Sequence, residues 1–129
     1  MSVNAGNQVS QHPVVGMWKL VSLERESASG SGEIETALEP NGFILYTADG
    51  WFAEAFSYRN PDGTSGNVAY CGHYELDGND RLFHIPSTHA NPDLVGARLE
   101  RGVHVEGHQY TLTAGSGPGS ARLVWERLA

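Results

Sequence analysis

Cys71 is the only cysteine in this 129-residue chain. An intrachain disulfide, a thiolate metal cluster and a two-cysteine redox pair are all excluded, which fits a reducing compartment. A lone Cys between Tyr70 and Gly72 in a strand-like run reads as a small buried apolar residue, because no sequence cue points to a depressed thiol pKa. Positive charge is also scarce, with eight Lys plus Arg against fifteen Asp plus Glu and a formal charge of −7. Such a balance repels phosphate backbones and anionic lipid surfaces, so neither nucleic acid nor membrane is expected as a partner. Apolar runs long enough to span a bilayer are missing, as is a basic stretch leading into an apolar one, and the expected location is cytoplasmic.

Helical periodicity is the last absence. In its place, short runs rich in β-branched and aromatic residues recur between Gly, Asp, Asn and Pro, which is an all-β pattern. The candidate strands are Met17 to Arg25, Glu33 to Leu38, Gly42 to Thr47, Trp51 to Tyr58, Val68 to Leu76, Arg81 to Ser87, Val95 to Glu106, Gln109 to Thr113 and Ala121 to Leu128. Ala48-Asp49-Gly50, Asp77-Gly78-Asn79-Asp80 and Glu106-Gly107-His108 supply residues that tolerate positive φ, so successive strands are expected to be antiparallel hairpin neighbours. Longer connections at Ser27 to Gly32, Arg59 to Asn67, Thr88 to Leu94 and Ala114 to Ser120 are candidates for a barrel mouth. Any helix is confined to a turn or two near Pro61 to Asn67 or Asn91 to Val95. The length suits one domain, at 13–129, preceded by a polar segment, 1–12, that reads as a flexible tail.

Gly16-Met17-Trp18 opens the first strand and Leu123-Val124-Trp125-Glu126-Arg127 closes the last. Together with Gly42 to Gly50, Ala69-Tyr70-Cys71-Gly72-His73-Tyr74-Glu75, and His84 before Asn91-Pro92 and Gly96, the chain resembles the lipocalin-like domain family of small bacterial and fungal proteins. The resemblance runs from Val15 to Arg127. It implies a single closed antiparallel up-and-down β-barrel of about eight strands with an internal cavity. It also implies that Trp18 packs at the closed end with the Arg127 guanidinium against its ring, tying the first strand to the last. The roles known for that family are varied and include parts of natural-product pathways, so shape is better defined than chemistry.

Alternation of side chains divides each strand into two faces. On Trp51 to Tyr58 the inward set is Phe52, Glu54, Phe56 and Tyr58, which places a carboxylate between two phenylalanines where the family pattern has a small or apolar residue. Loss of hydration there raises the carboxyl pKa and suits it to proton transfer. The opposite register would put Trp51 inside and Glu54 in water. On Val68 to Leu76 the inward set is Val68, Tyr70, Gly72, Tyr74 and Leu76. Leu82, His84 and Thr88 form the next inward set, and Leu99, Arg101, Val103 and Val105 another. Arg101 inside a barrel requires an anion, which is either Glu54 in an ion pair or an acidic ligand group. His84 is read as an acid–base group or as a neutral ring bonded to a tyrosine. His73, His89, His104 and His108 are scattered, and no metal site is expected.

These readings assign catalysis to Glu54 and His84, and ligand binding to Tyr70, Tyr74, Arg101, Phe52, Phe56 and Tyr46. The expected function is binding of a small hydrophobic molecule followed by cofactor-free acid–base isomerisation or cyclisation. A non-catalytic carrier of the same class of molecule is the alternative, and a dimeric scaffold with a self-filled cavity is a third. No dinucleotide cofactor is expected, because Gly115-Ser116-Gly117-Pro118-Gly119 contains proline and opens no helix. The expected assembly is a monomer or homodimer.

Overall fold

A sheet of short strands leaves a row of unpaired N–H and C=O groups at each edge unless it closes on itself. This chain closes. The computed structural model describes residues 12–129, and its strands are β1 (Gly16–Glu26), β2 (Ile34–Thr36), β3 (Leu38–Tyr46), β4 (Trp51–Arg59), β5 (Ser65–Leu76), β6 (Arg81–His89), β7 (Leu99–Glu106), β8 (Gln109–Ala114) and β9 (Ala121–Arg127). From β3 to β9 each strand pairs antiparallel with the next. β1 then pairs with β3 on one side and β9 on the other, closing an eight-stranded up-and-down barrel. β2 is an added strand on the second half of β1, from Glu24 to Glu26.

The expected strand positions recur with shifted ends. The run expected to begin at Val95 starts instead at Leu99. Pro92–Leu94 takes one turn of 3-10 helix, because the Asn91 side chain accepts from the Asp93 N–H and Pro92 has no N–H to waste in a first turn. Two bulges matter more, since an inserted residue reverses which side chains face inward. In β1 the pairing with β9 slips between Leu20 and Ser22, so Val21 points out and Leu23 and Arg25 follow Leu20 to the inside. In β6 Gly72 pairs with Pro86 while Cys71 pairs with Thr88, leaving Ser87 as the extra residue. A Cβ on Gly72 would collide with the Ile85 carbonyl, so glycine is what lets the strands meet at this bulge.

This second bulge corrects the inward set expected for β6. Pro86 takes the buried place after His84, Thr88 is exposed, and His89 turns back toward the interior opposite Tyr70. Cys71 lies half-buried on the outer face rather than in the core.

The closed end is built from both termini of the barrel. Trp18 is fully buried, and its Nε1 donates to the Val14 carbonyl at 2.9 Å. The Arg127 guanidinium lies 4.1 Å from the Trp18 ring centre and donates to the carbonyls of Val15 and Pro13 at 3.0 and 2.6 Å. A single planar cation thus stacks on a ring from the first strand and pins the segment before it. His12 belongs to this plug: it is buried, its Nδ1 accepts from the Val14 N–H, and its Nε2 bonds to the Asn79 carbonyl. The expected tail boundary is therefore corrected at His12, and the rest of that tail, 1–11, lies outside the described residues.

Replacing Arg127 by Ala removes the stack and both carbonyl bonds, and should lower stability by about 2 kcal/mol. Lys at the same position keeps a cation but lacks the fork, and should recover less than half of that loss. Urea unfolding with an unchanged m-value measures both.

Candidate functional site

β4 places Phe52, Glu54 and Phe56 inward and buried, with Trp51, Ala53, Ala55 and Ser57 exposed on the outer face. The register that buries Glu54 is set by its neighbours, since Ile44 of β3 and Tyr70 of β5 are its partners across the sheet and both are buried. The alternative with Trp51 inside is thereby excluded. Trp51 instead lies on the outer surface against His73, with ring centres 3.7 Å apart.

Above Glu54 the barrel is not filled. A cavity of about 360 Å³ is lined by Leu23, Phe56, Val68, Leu112 and Leu123, with Glu54, Tyr70, Arg101, Arg25 and His89 as its main polar groups. That size falls toward the low end of small-molecule sites. Arg25, Tyr58, Asn67, His89, Ala90, Ala114 and Ala121 lie around its outer part, beside the long connections expected to form the mouth. The Arg25 guanidinium is 4.7 Å from the Tyr58 ring centre.

Below the cavity the interior is packed solid with aromatic rings joined by hydrogen bonds. The Tyr70 hydroxyl and His84 Nδ1 are 2.9 Å apart, His84 Nε2 and the Tyr46 hydroxyl 2.8 Å, and the Tyr46 and Tyr110 hydroxyls 2.8 Å. Phe52 stacks on the imidazole with ring centres 4.1 Å apart and planes 8° from parallel. The Tyr74 hydroxyl is directed away from this group, donating to the Thr47 carbonyl at 2.7 Å.

The expected site residues therefore separate into two layers. Glu54, Tyr70, Arg101 and Phe56 meet on the cavity wall. His84, Tyr46, Phe52 and Tyr74 lie in the floor, where Tyr70 is the only one of the bonded hydroxyl and imidazole groups that also lines the cavity. His84 as a group in reach of a ligand is corrected accordingly, because packing on all sides encloses its ring. The expected ion pair is corrected too: among the described residues no salt bridge joins Arg101 to Glu54, and the Arg101 guanidinium donates to the backbone carbonyl of Glu100 and lies beside the Tyr70 hydroxyl.

Sequence reasoning missed Arg25, His89 and Tyr110. Alternation on Gln109 to Thr113 puts Tyr110 with Leu112 and would have found the third. The first two are hidden by bulges, which alternation does not register.

The electrostatics follow from burial. Desolvation raises the Glu54 carboxyl from its ordinary 4.5 to about 7, with the Tyr70 hydroxyl and the Arg101 charge pulling partly the other way. Desolvation, aided by the Arg101 charge, pushes His84 well below 6.5 and keeps the ring neutral. Burial raises the hydroxyls of Tyr46, Tyr70, Tyr74 and Tyr110, so they act as neutral hydrogen-bonding groups. The arrangement can hold an apolar molecule, offer a proton-transfer group near neutrality, and face it with a phenol and a guanidinium. No protein-family model, curated protein or solved structure matches this chain.

A carboxyl whose folded pKa exceeds its unfolded one keeps its proton longer in the folded state, so stability falls as the pH rises from about 4.5 through about 7. Carried by Glu54 alone, the loss is on the order of 3 kcal/mol. Glu54→Gln should therefore gain on the wild type by about that amount between pH 4.5 and pH 8, as denaturant titrations at the two pH values will measure.

Proposed function

We propose that the protein binds a small, mostly apolar metabolite in the barrel cavity and acts on it as a cofactor-free acid–base isomerase or cyclase. One observation carries the reading: a buried carboxyl, held near neutral pKa by desolvation, faces the cavity with no cation paired to it. Burying a carboxyl this way costs stability, and surface-seeking alternatives were open to a nine-residue strand. The cost is understandable where the group moves protons.

In this reading Glu54 removes a proton from a carbon of the bound molecule and returns it at another position. Tyr70 and Arg101 stabilise the oxyanion that forms meanwhile. Phe56, Leu112 and Leu123 shape the apolar wall that holds a flexible substrate in the reacting conformation. His84 and Tyr46 act behind Tyr70 rather than on the substrate. The resemblance of the sequence to lipocalin-like proteins, some from natural-product pathways, supports a metabolite of that kind, and a cytoplasmic location accords with the lone cysteine.

The base is testable without the natural substrate. 5-Nitrobenzisoxazole is an apolar aromatic whose ring opens when a base takes its C–H proton. The wild type should accelerate that opening, with a rate rising through about pH 7, and Glu54→Gln should lose about 10²-fold or more. Retained activity in Glu54→Gln removes Glu54 as the base. Absence of acceleration in the wild type, together with a ligand recovered chemically unchanged by mass spectrometry, selects the carrier.

A further inference from the structure

The floor of the cavity contains more polar groups than the proposed chemistry uses, and their hydrogens can be counted. Tyr110 is fully buried, and among the described residues its hydroxyl has one partner, the Tyr46 hydroxyl. Leaving a buried O–H without an acceptor costs about 1–3 kcal/mol, so Tyr110 donates to Tyr46. Tyr46 must then give its own hydrogen to its other partner, His84 Nε2. That nitrogen is bare in consequence, and the single ring proton sits on Nδ1, where it is donated to the Tyr70 oxygen. The opposite order fails at its end. With a proton on Nε2, whether in the other tautomer or in an imidazolium, Tyr46 or Tyr110 keeps a hydrogen with nothing to receive it.

We infer that Tyr110, Tyr46 and His84 form a one-way hydrogen-bond chain that fixes the Tyr70 hydroxyl as a donor toward the cavity, selecting ligands that present a carbonyl or carboxylate oxygen on an apolar body. This deepens the proposed function and rests on its reading of the cavity as the ligand site. The dead end at Tyr110 sets the direction, and Tyr70 delivers it. Beside Tyr70 the cavity carries Arg101, also a donor only, and Glu54, whose carboxyl accepts from the Tyr70 hydroxyl until a ligand oxygen takes its place. Tyr46, His84 and Tyr110 are positioning residues: they act through Tyr70, which touches the ligand.

Two measurements decide this. In ¹⁵N-labelled, unliganded protein at neutral pH, long-range ¹H–¹⁵N correlation of the assigned His84 ring should find the proton on Nδ1 and none on Nε2. A proton on Nε2 overturns the inference. The second measurement compares 2-acetylnaphthalene with 2-ethylnaphthalene, which share a shape but differ in the carbonyl oxygen. Tyr70→Phe should weaken the ketone by about 3- to 10-fold, the worth of one hydrogen bond, and leave the ethyl compound within about twofold. Equal loss for both probes, loss for neither, or a wild type that binds neither overturns the selection of acceptor ligands. The tautomer is read without turnover, so its failure is distinct from failure of the acid–base reading, which would show in the kinetics of Glu54→Gln.

Discussion

The ladder between β1 and β9 is the interaction on which the rest depends. Without it the eight strands are an open sheet with one face in water, and no side chain of β4 or β6 is interior to anything. With it, an inward side chain loses contact with solvent and must find its partners among other inward side chains. The stacked Trp18 and Arg127 pair fastens this ladder at one end only. The opposite end, where Arg25, Tyr58 and Ala121 stand, is left to line an opening.

Closure at one end and opening at the other produce a gradient along the barrel axis. At the closed end indole and aliphatic groups fill the space. In the middle the rings of Tyr46, Phe52, His84 and Tyr110 still fill it, now joined by hydrogen bonds. Only beyond Tyr70 and Glu54 does empty volume begin. The polar groups at that boundary are therefore backed by a rigid, dry layer and faced by a space that a ligand can enter. Such a setting raises a carboxyl pKa and keeps an imidazole neutral chiefly through the loss of water, with the Arg101 charge adding to the effect on the imidazole. Arg101 forms no salt bridge with Glu54; its guanidinium donates to the Glu100 carbonyl.

Period-two alternation carried most of this architecture in the sequence itself. Phe52, Glu54, Phe56 and Tyr70 fall inside as alternation requires, because β4 and the inward half of β5 pair without interruption through Glu54 and Tyr70. The Trp18 and Arg127 seam was legible through resemblance alone, since nothing local to either residue indicates the other. What alternation could not reveal is depth. Glu54 and His84 are both buried inward residues, yet one meets the cavity and the other is sealed beneath it. Depth depends on how strands are staggered around the barrel, a property of the closed assembly rather than of any one strand. Parity was the other gap, wherever a bulge adds a residue.

That added residue in β6 has a consequence for how such a site can change. Ser87 stands outside the ladder, and because it takes no partner His89, rather than Thr88, faces Tyr70 at the rim. Drawing Ser87 into the ladder would exchange an imidazole for a hydroxyl at the entrance, while Leu82 and His84, which lie before the bulge, would keep their places. The rim of this barrel can thus be rewritten by a change in register where the floor is held by composition, so that ligand preference and structural integrity are free to vary on separate tracks.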